Sequence, residues 1–191
     1  MMYMRILSWG RQSCLEEVNG GSQKATFRAG HIYHVLNRGT QRQQLFFSDD
    51  DYRRFEVLIE DTLARIPLPV LTFELMPNHW HFVVKPDDQD QLSSFFGYLA
   101  GTHGKRFRVA HGTTGQGHVY QDRFKSFPVQ SDGHFLIVCR YVERNALRAG
   151  LVGQAEAWPW GALWRRQHAL DSWLMSDWPM ALTFCDPLVL S

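Results

Sequence analysis

Two apolar runs, Val70-Leu71-Thr72-Phe73-Glu74-Leu75-Met76 and Trp80-His81-Phe82-Val83-Val84, stand either side of Pro77-Asn78, and they constrain the fold more than any other stretch of the chain. Their β-branched and aromatic content favours strands, and proline followed by asparagine favours a turn, so the segment reads as two neighbouring strands with a turn between them. In the second run His79 and His81 flank Trp80. Side chains alternate faces along a strand, so both imidazoles point one way and the indole points the other. Two imidazoles on one rigid face make a candidate metal site, since imidazole ligates zinc, copper, iron, nickel and, less tightly, manganese. A solvated or hydrogen-bonded histidine pair is the competing reading.

Around this segment the hydrophobic pattern alternates between the two periods. Residues 31–38 read as a strand, 50–65 as a helix carrying Phe55, Leu58, Ile59 and Leu63, 70–76 and 79–85 as the two strands above, and 91–110 as a second helix. A glycine-rich loop at 112–117 leads into an expected strand over 118–129. Residues 131–150 open on the capping pair Ser131-Asp132 and close on Gly150, which predicts one further helix. The order β-α-β-β-α-β predicts an α+β chain with a ferredoxin-like core, an antiparallel sheet with helices packed on one face. On the last helix Tyr141 and Asn145 are four residues apart and share a face, with Arg144 and Arg148 as a second such pair beside them.

With 191 residues and 45% hydrophobic content, the chain can bury one core and little more. The reading is a tail over 1–26, a domain over 27–152, and an extension over 153–191 whose Trp158, Trp160, Trp164, Trp173 and Trp178 pack on that domain, with stacking on DNA bases as the less common alternative. A net charge of +1 argues against a protein that coats nucleic acid indiscriminately. The charge is uneven, however. Lys105, Arg106, Arg108, Arg123 and Lys125 share a window whose only acid is Asp122, and Phe107, Tyr120, Phe124 and Phe127 are interleaved with them. Cations beside aromatic rings suit a single nucleic-acid strand, which offers phosphates and base faces; a solvated helix face over core aromatics is the alternative. Cys14, Cys139 and Cys185 are too few and too scattered for a disulfide framework, and no run suggests a membrane span, so a cytoplasmic location is expected.

Several blocks of the chain together resemble a known family. Met76-Pro77-Asn78-His79-Trp80-His81, Gly117-His118-Val119-Tyr120-Gln121-Asp122-Arg123-Phe124-Lys125-Ser126, and Arg140-Tyr141-Val142-Glu143-Arg144-Asn145 with the residues to Val152 resemble the REP-associated tyrosine transposases, which are similar to the transposases of IS200-like elements. Tyr33-His34-Val35-Leu36-Asn37-Arg38-Gly39 and the segment 46–55 add to the likeness, which spans roughly residues 27–164. These enzymes form the single-tyrosine branch of the HUH endonucleases, in which two histidines flank a hydrophobic residue. One departure is Ala146, where the family commonly has proline.

The resemblance implies a metal-dependent single-strand DNA endonuclease and strand transferase. Tyr141 would be the nucleophile, and His79, His81 and Asn145 the ligands of a divalent cation. Three neutral nitrogen and oxygen donors suit Mg2+ or Mn2+ better than structural zinc. A tyrosine that attacks a backbone phosphate conserves the phosphoester in a covalent 5′-phosphotyrosine, so no external energy source is needed. The implied substrate is a single-stranded hairpin of REP type, bound by a monomer or a homodimer, with Arg38, Lys105, Arg106, Arg123, Lys125, Arg144 and Arg148 as candidate DNA contacts. A non-cleaving hairpin-binding protein of the same fold is the alternative function.

Overall fold

The computed structural model describes residues 18–19, 27–170 and 173–174. At its centre lies a sheet of β1 (Val18–Asn19), β2 (Ile32–Arg38), β3 (Val70–Met76), β4 (His79–Val84) and β5 (Lys125–Val129), ordered β1-β5-β2-β4-β3, and every ladder is antiparallel. With α1 (Asp49–Arg65) and α2 (Gln91–Ala110), the four longer strands give the ferredoxin-like β-α-β-β-α-β core that the pattern predicts. The short β1 adds itself to the free edge of β5. The rest of the first 26 residues, with Cys14, and Trp178 and Cys185 near the other end lie outside the described residues.

Local chemistry sets the two core helices. At the start of α1, Ser48 accepts from the Asp51 N–H while the Asp51 carboxylate accepts from the Ser48 N–H, a reciprocal capping box. Asp49, Asp50 and Asp51 also place negative charge against the positive end of the helix dipole. α1 buries Tyr52, Phe55, Leu58 and Ile59, and α2 buries Leu92, Phe95, Phe96, Leu99 and Phe107. Together they cover the sheet face formed by Tyr33, Val35, Phe73, Leu75, Trp80 and Phe82. Trp80 stacks on Phe96 with centroids 5.5 Å apart, and its Nε1–H donates to the Tyr120 hydroxyl at 3.1 Å.

A third helix, α3 (Asp132–Glu143), crosses the opposite face, where Phe135, Cys139 and Val142 pack on Leu71 and Val83. The expected single helix over 131–150 is in fact two. It breaks at Arg144 (φ −111°, ψ 9°) and resumes as α4 (Asn145–Arg148) before Gly150 closes it at φ +70°. The cause lies on β3: Glu74 Oε1 accepts the Ala146 N–H at 2.7 Å, a bond that an unbroken helix would have made to Val142. The expected strand over 118–129 begins only at Lys125. Val119, Tyr120 and Phe124 turn into the core while Gln121, Asp122 and Arg123 are all exposed, a pattern that strand alternation cannot produce.

Beyond α4 the chain returns to the core. The Trp160 ring lies parallel to Tyr52 at 4.7 Å, Trp158 Nε1–H donates to the Leu75 carbonyl at 2.9 Å, and Trp173 lies 4.6 Å from Phe73. Between them, α5 (Ala162–Gln167) carries Arg166, which pairs with Glu143 at 2.8 Å; Glu143 in turn accepts from the Thr72 hydroxyl at 2.7 Å. No helix among the described residues is long and apolar enough to cross a membrane.

Candidate active site

The Pro77-Asn78 turn is pinned before β4 begins. Pro77 O accepts from the Leu45 and Phe46 N–H groups, Asn78 O accepts from Gly39, and the Asn78 amide donates to Arg42 O at 3.3 Å. From that support His79 and His81 project to the face opposite Trp80, as alternation demands. His79 stands between Arg38 and Met76 on the neighbouring strands, and His81 between Leu36 and Glu74.

Each imidazole has one nitrogen engaged. His79 Nδ1–H donates to Asn78 Oδ1 at 2.6 Å. His81 Nδ1 lies 2.9 Å from His34 Nε2, and these two rings stack with centroids 5.1 Å apart. Burial lowers the His79 pKa to about 4, helped by the positive charge of Arg38. Burial and then His134 likewise lower His34 to about 4. His81, only 4% exposed, is held well below its ordinary value, chiefly by burial and then by His34, His79 and Arg38. Both motif histidines are therefore neutral near pH 7 and keep a lone pair to give.

α3 delivers Tyr141 to the same place. Its ring stands edge-on to His81 at 5.9 Å and to His34 at 6.1 Å, and the residue is 41% exposed. The Arg148 guanidinium lies 5.1 Å from the phenol centroid. Tyr141, His79, His81, Arg38 and Lys125 line one cavity of about 250 Å³. Through Gln121 and Asp122 it adjoins a groove of about 750 Å³, whose wall carries Lys105, Arg108 and Arg123 and whose side along α2 is made of Gly97, Ala100, Gly101 and Gly104.

The structure thus gathers Tyr141, both histidines, Arg38 and Lys125 around one cavity, with Arg148 against the Tyr141 ring and Lys105 and Arg123 along the adjoining groove. Three candidates fall elsewhere. Arg106 is exposed on α2 and Arg144 is half-buried at the helix break, and neither lines either space. Asn145 heads α4, where its Nδ2 donates to Val142 O at 3.4 Å, and it too is absent from the lining.

Two residues not singled out in the sequence stand next to this site. His34 shares the face of Arg38 by period two, a signal present in the sequence but without force until β2 is known to pair with β4. Glu74 is the one acid in the otherwise apolar β3 run, and it is 1% exposed. Burial lifts its carboxyl to about 8, against the lowering effect of the Ala146 and Asn145 N–H groups.

A divalent cation fits this donor set in part. Two neutral imidazoles, each with Nδ1 engaged by a hydrogen-bond partner, have Nε2 as the nitrogen that a cation could reach. Among the described residues no third histidine, cysteine or carboxylate completes a cluster, which disfavours a closed structural zinc site and leaves positions for oxygen donors.

The sequence matches the family of IS200-like transposases over residues 28–145. No curated protein matches the chain in sequence. Among solved structures, one described as a REP-associated tyrosine transposase bound to a REP hairpin is similar with a TM-score of 0.62 and 19% identity, covering 83% of this chain and 92% of that one. At that identity the likeness speaks for the fold. A second structure, of a candidate transposase from Deinococcus radiodurans R1, has a TM-score of 0.45 and 18% identity, covering 62% of this chain and 92% of that one.

Proposed function

This chain belongs to the IS200-like transposase family, and from that premise we propose that it cuts and rejoins single-stranded DNA through a covalent tyrosine link, acting on hairpins of REP type. The observation that carries the proposal is the convergence of Tyr141 with His79 and His81 in one cavity, although they come from elements far apart in sequence. The hairpin follows from the solved relative, which is described as bound to one.

In the cutting step the Tyr141 oxygen forms a bond to the scissile phosphorus as the bond to the 3′ oxygen breaks. The phenolic proton leaves to water at this partly exposed group, and the departing oxygen takes one up. The cut strand is held by its 5′ phosphate on Tyr141, and attack by another 3′ hydroxyl reverses the exchange with no net change in phosphoester count. Arg148, Arg38 and Lys125 place positive charge where the transition state spreads negative charge over the phosphate oxygens. A Mg2+ or Mn2+ ion held by His79 and His81 would supply further neutralisation and orient the phosphate; Asn145, the third ligand that the resemblance implies, would join them only by bringing its carboxamide oxygen in from the head of α4. The adjoining groove suits the strand leading to the cut, with Lys105 and Arg123 on its phosphates.

The test is incubation of the purified chain with a single-stranded REP hairpin, with Mn2+ or with chelator, followed by a denaturing gel. A protein–DNA adduct that requires the metal and is absent from Tyr141→Phe is expected. Binding without cutting or linkage under every condition would overturn the proposal and leave a hairpin-binding protein of this fold.

A further inference from the structure

We propose that His34 is a positioning residue for the cation site: its Nε2 accepts the Nδ1–H of His81, fixing the tautomer and the ring plane in which His81 offers Nε2 to the metal. The inference rests on the reading of His79 and His81 as ligands.

The argument is one of proton accounting. His81 is 4% exposed, so water is not at hand to satisfy its Nδ1, and His34 Nε2 stands 2.9 Å away. A neutral imidazole carries one proton on two nitrogens. If His34 donated this bond, the proton of His81 would sit on Nε2 and leave no lone pair there for a cation. If His81 donates it, Nε2 is free. His79 resolves the same choice in the same sense, because the Asn78 oxygen at 2.6 Å accepts only from a protonated Nδ1. Both histidines then present Nε2, each set by a different acceptor. Metal-bound histidines ordinarily anchor their second nitrogen in this way, and losing the anchor typically weakens metal binding by about 10–100-fold.

His34 is built for this part rather than for contact with substrate. It sits on β2, between β4 and β5, stacked on His81 at 5.1 Å with Phe127 at 6.2 Å on the other neighbouring strand. Ladders on both sides fix its backbone. It does not line the cavity that holds Tyr141, and so acts through His81.

Mn2+ binding to the full chain, followed by the loss of the free-ion EPR signal, tests this without reference to activity. His34→Leu removes the acceptor and is expected to weaken Mn2+ binding by about 10–100-fold. His34→Gln, whose amide oxygen can accept the same proton, is expected to recover most of it. His34→Leu binding as tightly as the native chain, or His34→Gln no better than His34→Leu, overturns the inference alone. A native chain that takes up no Mn2+ overturns the cation reading with it. A second measurement needs no variant: 15N NMR of the native histidines is expected to show His81 protonated at Nδ1, and a proton on Nε2 overturns the inference even where metal binds.

Discussion

The two faces of β4 follow opposite rules. On one, Trp80 and Phe82 are sealed against α1 and α2 by a continuous aromatic layer, and only the indole N–H needs a partner, which Tyr120 supplies. On the other, His79 and His81 lie among His34, Arg38, Glu74 and Lys125, and each of the two imidazoles depends on one particular neighbour for its Nδ1. The apolar face draws on many small contacts that any close-packed arrangement provides. The polar face gains little from burial and spends stability to hold neutral imidazoles and a protonated carboxyl in place. Side-chain parity therefore sets the chemistry of the first three residues of this strand, while Val83, on the face of the histidines, is packed under α3.

Substitutions should respect that division. Tyr141→Phe is expected to remove the covalent adduct altogether while leaving the melting temperature and hairpin affinity close to native, because the hydroxyl stands at a partly exposed position. An adduct that persists would move the nucleophile elsewhere. Trp80→Ala, on the other face of the strand, is expected to cost about 3–5 kcal/mol of stability in denaturant titrations. A loss below about 1 kcal/mol would mean that the layer under Phe96 closes over the gap.

Glu74 sharpens the contrast, since it ties the polar face to α4, the short helix that follows the one bearing Tyr141. Ala146→Pro removes the N–H that Glu74 Oε1 receives and is expected to destabilise the chain by about 1–3 kcal/mol. A neutral result would show that the Asn145 N–H alone satisfies this carboxyl. The pH dependence follows from its raised pKa of about 8, set mainly by burial. Between the unfolded value of 4.5 and the folded value, the native state holds a proton that the unfolded state has released, so stability falls as pH rises through that window. His103, lowered by burial to about 4, acts at the other end: its contribution is full above pH 6.5 and is lost as the solution is acidified toward 4. His34, His79 and His81 are lowered in the same sense as His103, so the carboxyl is isolated by difference: between pH 6.5 and 8 the stability of Glu74→Gln is expected to fall less with rising pH than that of the native chain.

How much of this was legible in the sequence depends on how far apart the causes lie. The helix over 50–65, the turn at Pro77-Asn78 and the parity of His79, Trp80 and His81 are local, and periodicity with turn chemistry predicts them. The break at Arg144 was hidden because the carboxylate that causes it lies 72 positions earlier. Counting Tyr141 and Asn145 as i and i+4 assumed an unbroken helix, and the break is one reason Asn145 stands outside the cavity lining. His34 was hidden in the same way, 47 positions from the ring it anchors, since strand order decides that contact. The run 118–124 misled because its aromatic residues serve the core through an irregular segment, where propensity alone favours a strand.

The smallest expected effect lies at the edge of the polar face, where the site gives way to the groove. Arg123 is exposed on the groove wall, and its backbone carbonyl, not its guanidinium, accepts the Asn37 amide at 2.5 Å. Removing the side chain should therefore leave the fold untouched. If the guanidinium meets a phosphate, Arg123→Ala lowers hairpin affinity by less than about tenfold and reduces the slope of log affinity against log salt by about 1. Arg106, exposed on α2 but outside the groove, provides the matched comparison: Arg106→Ala is expected to leave that slope unchanged. Equal slopes for the two variants would mean that the strand does not follow this groove, and that the cations of the window act only through their summed field.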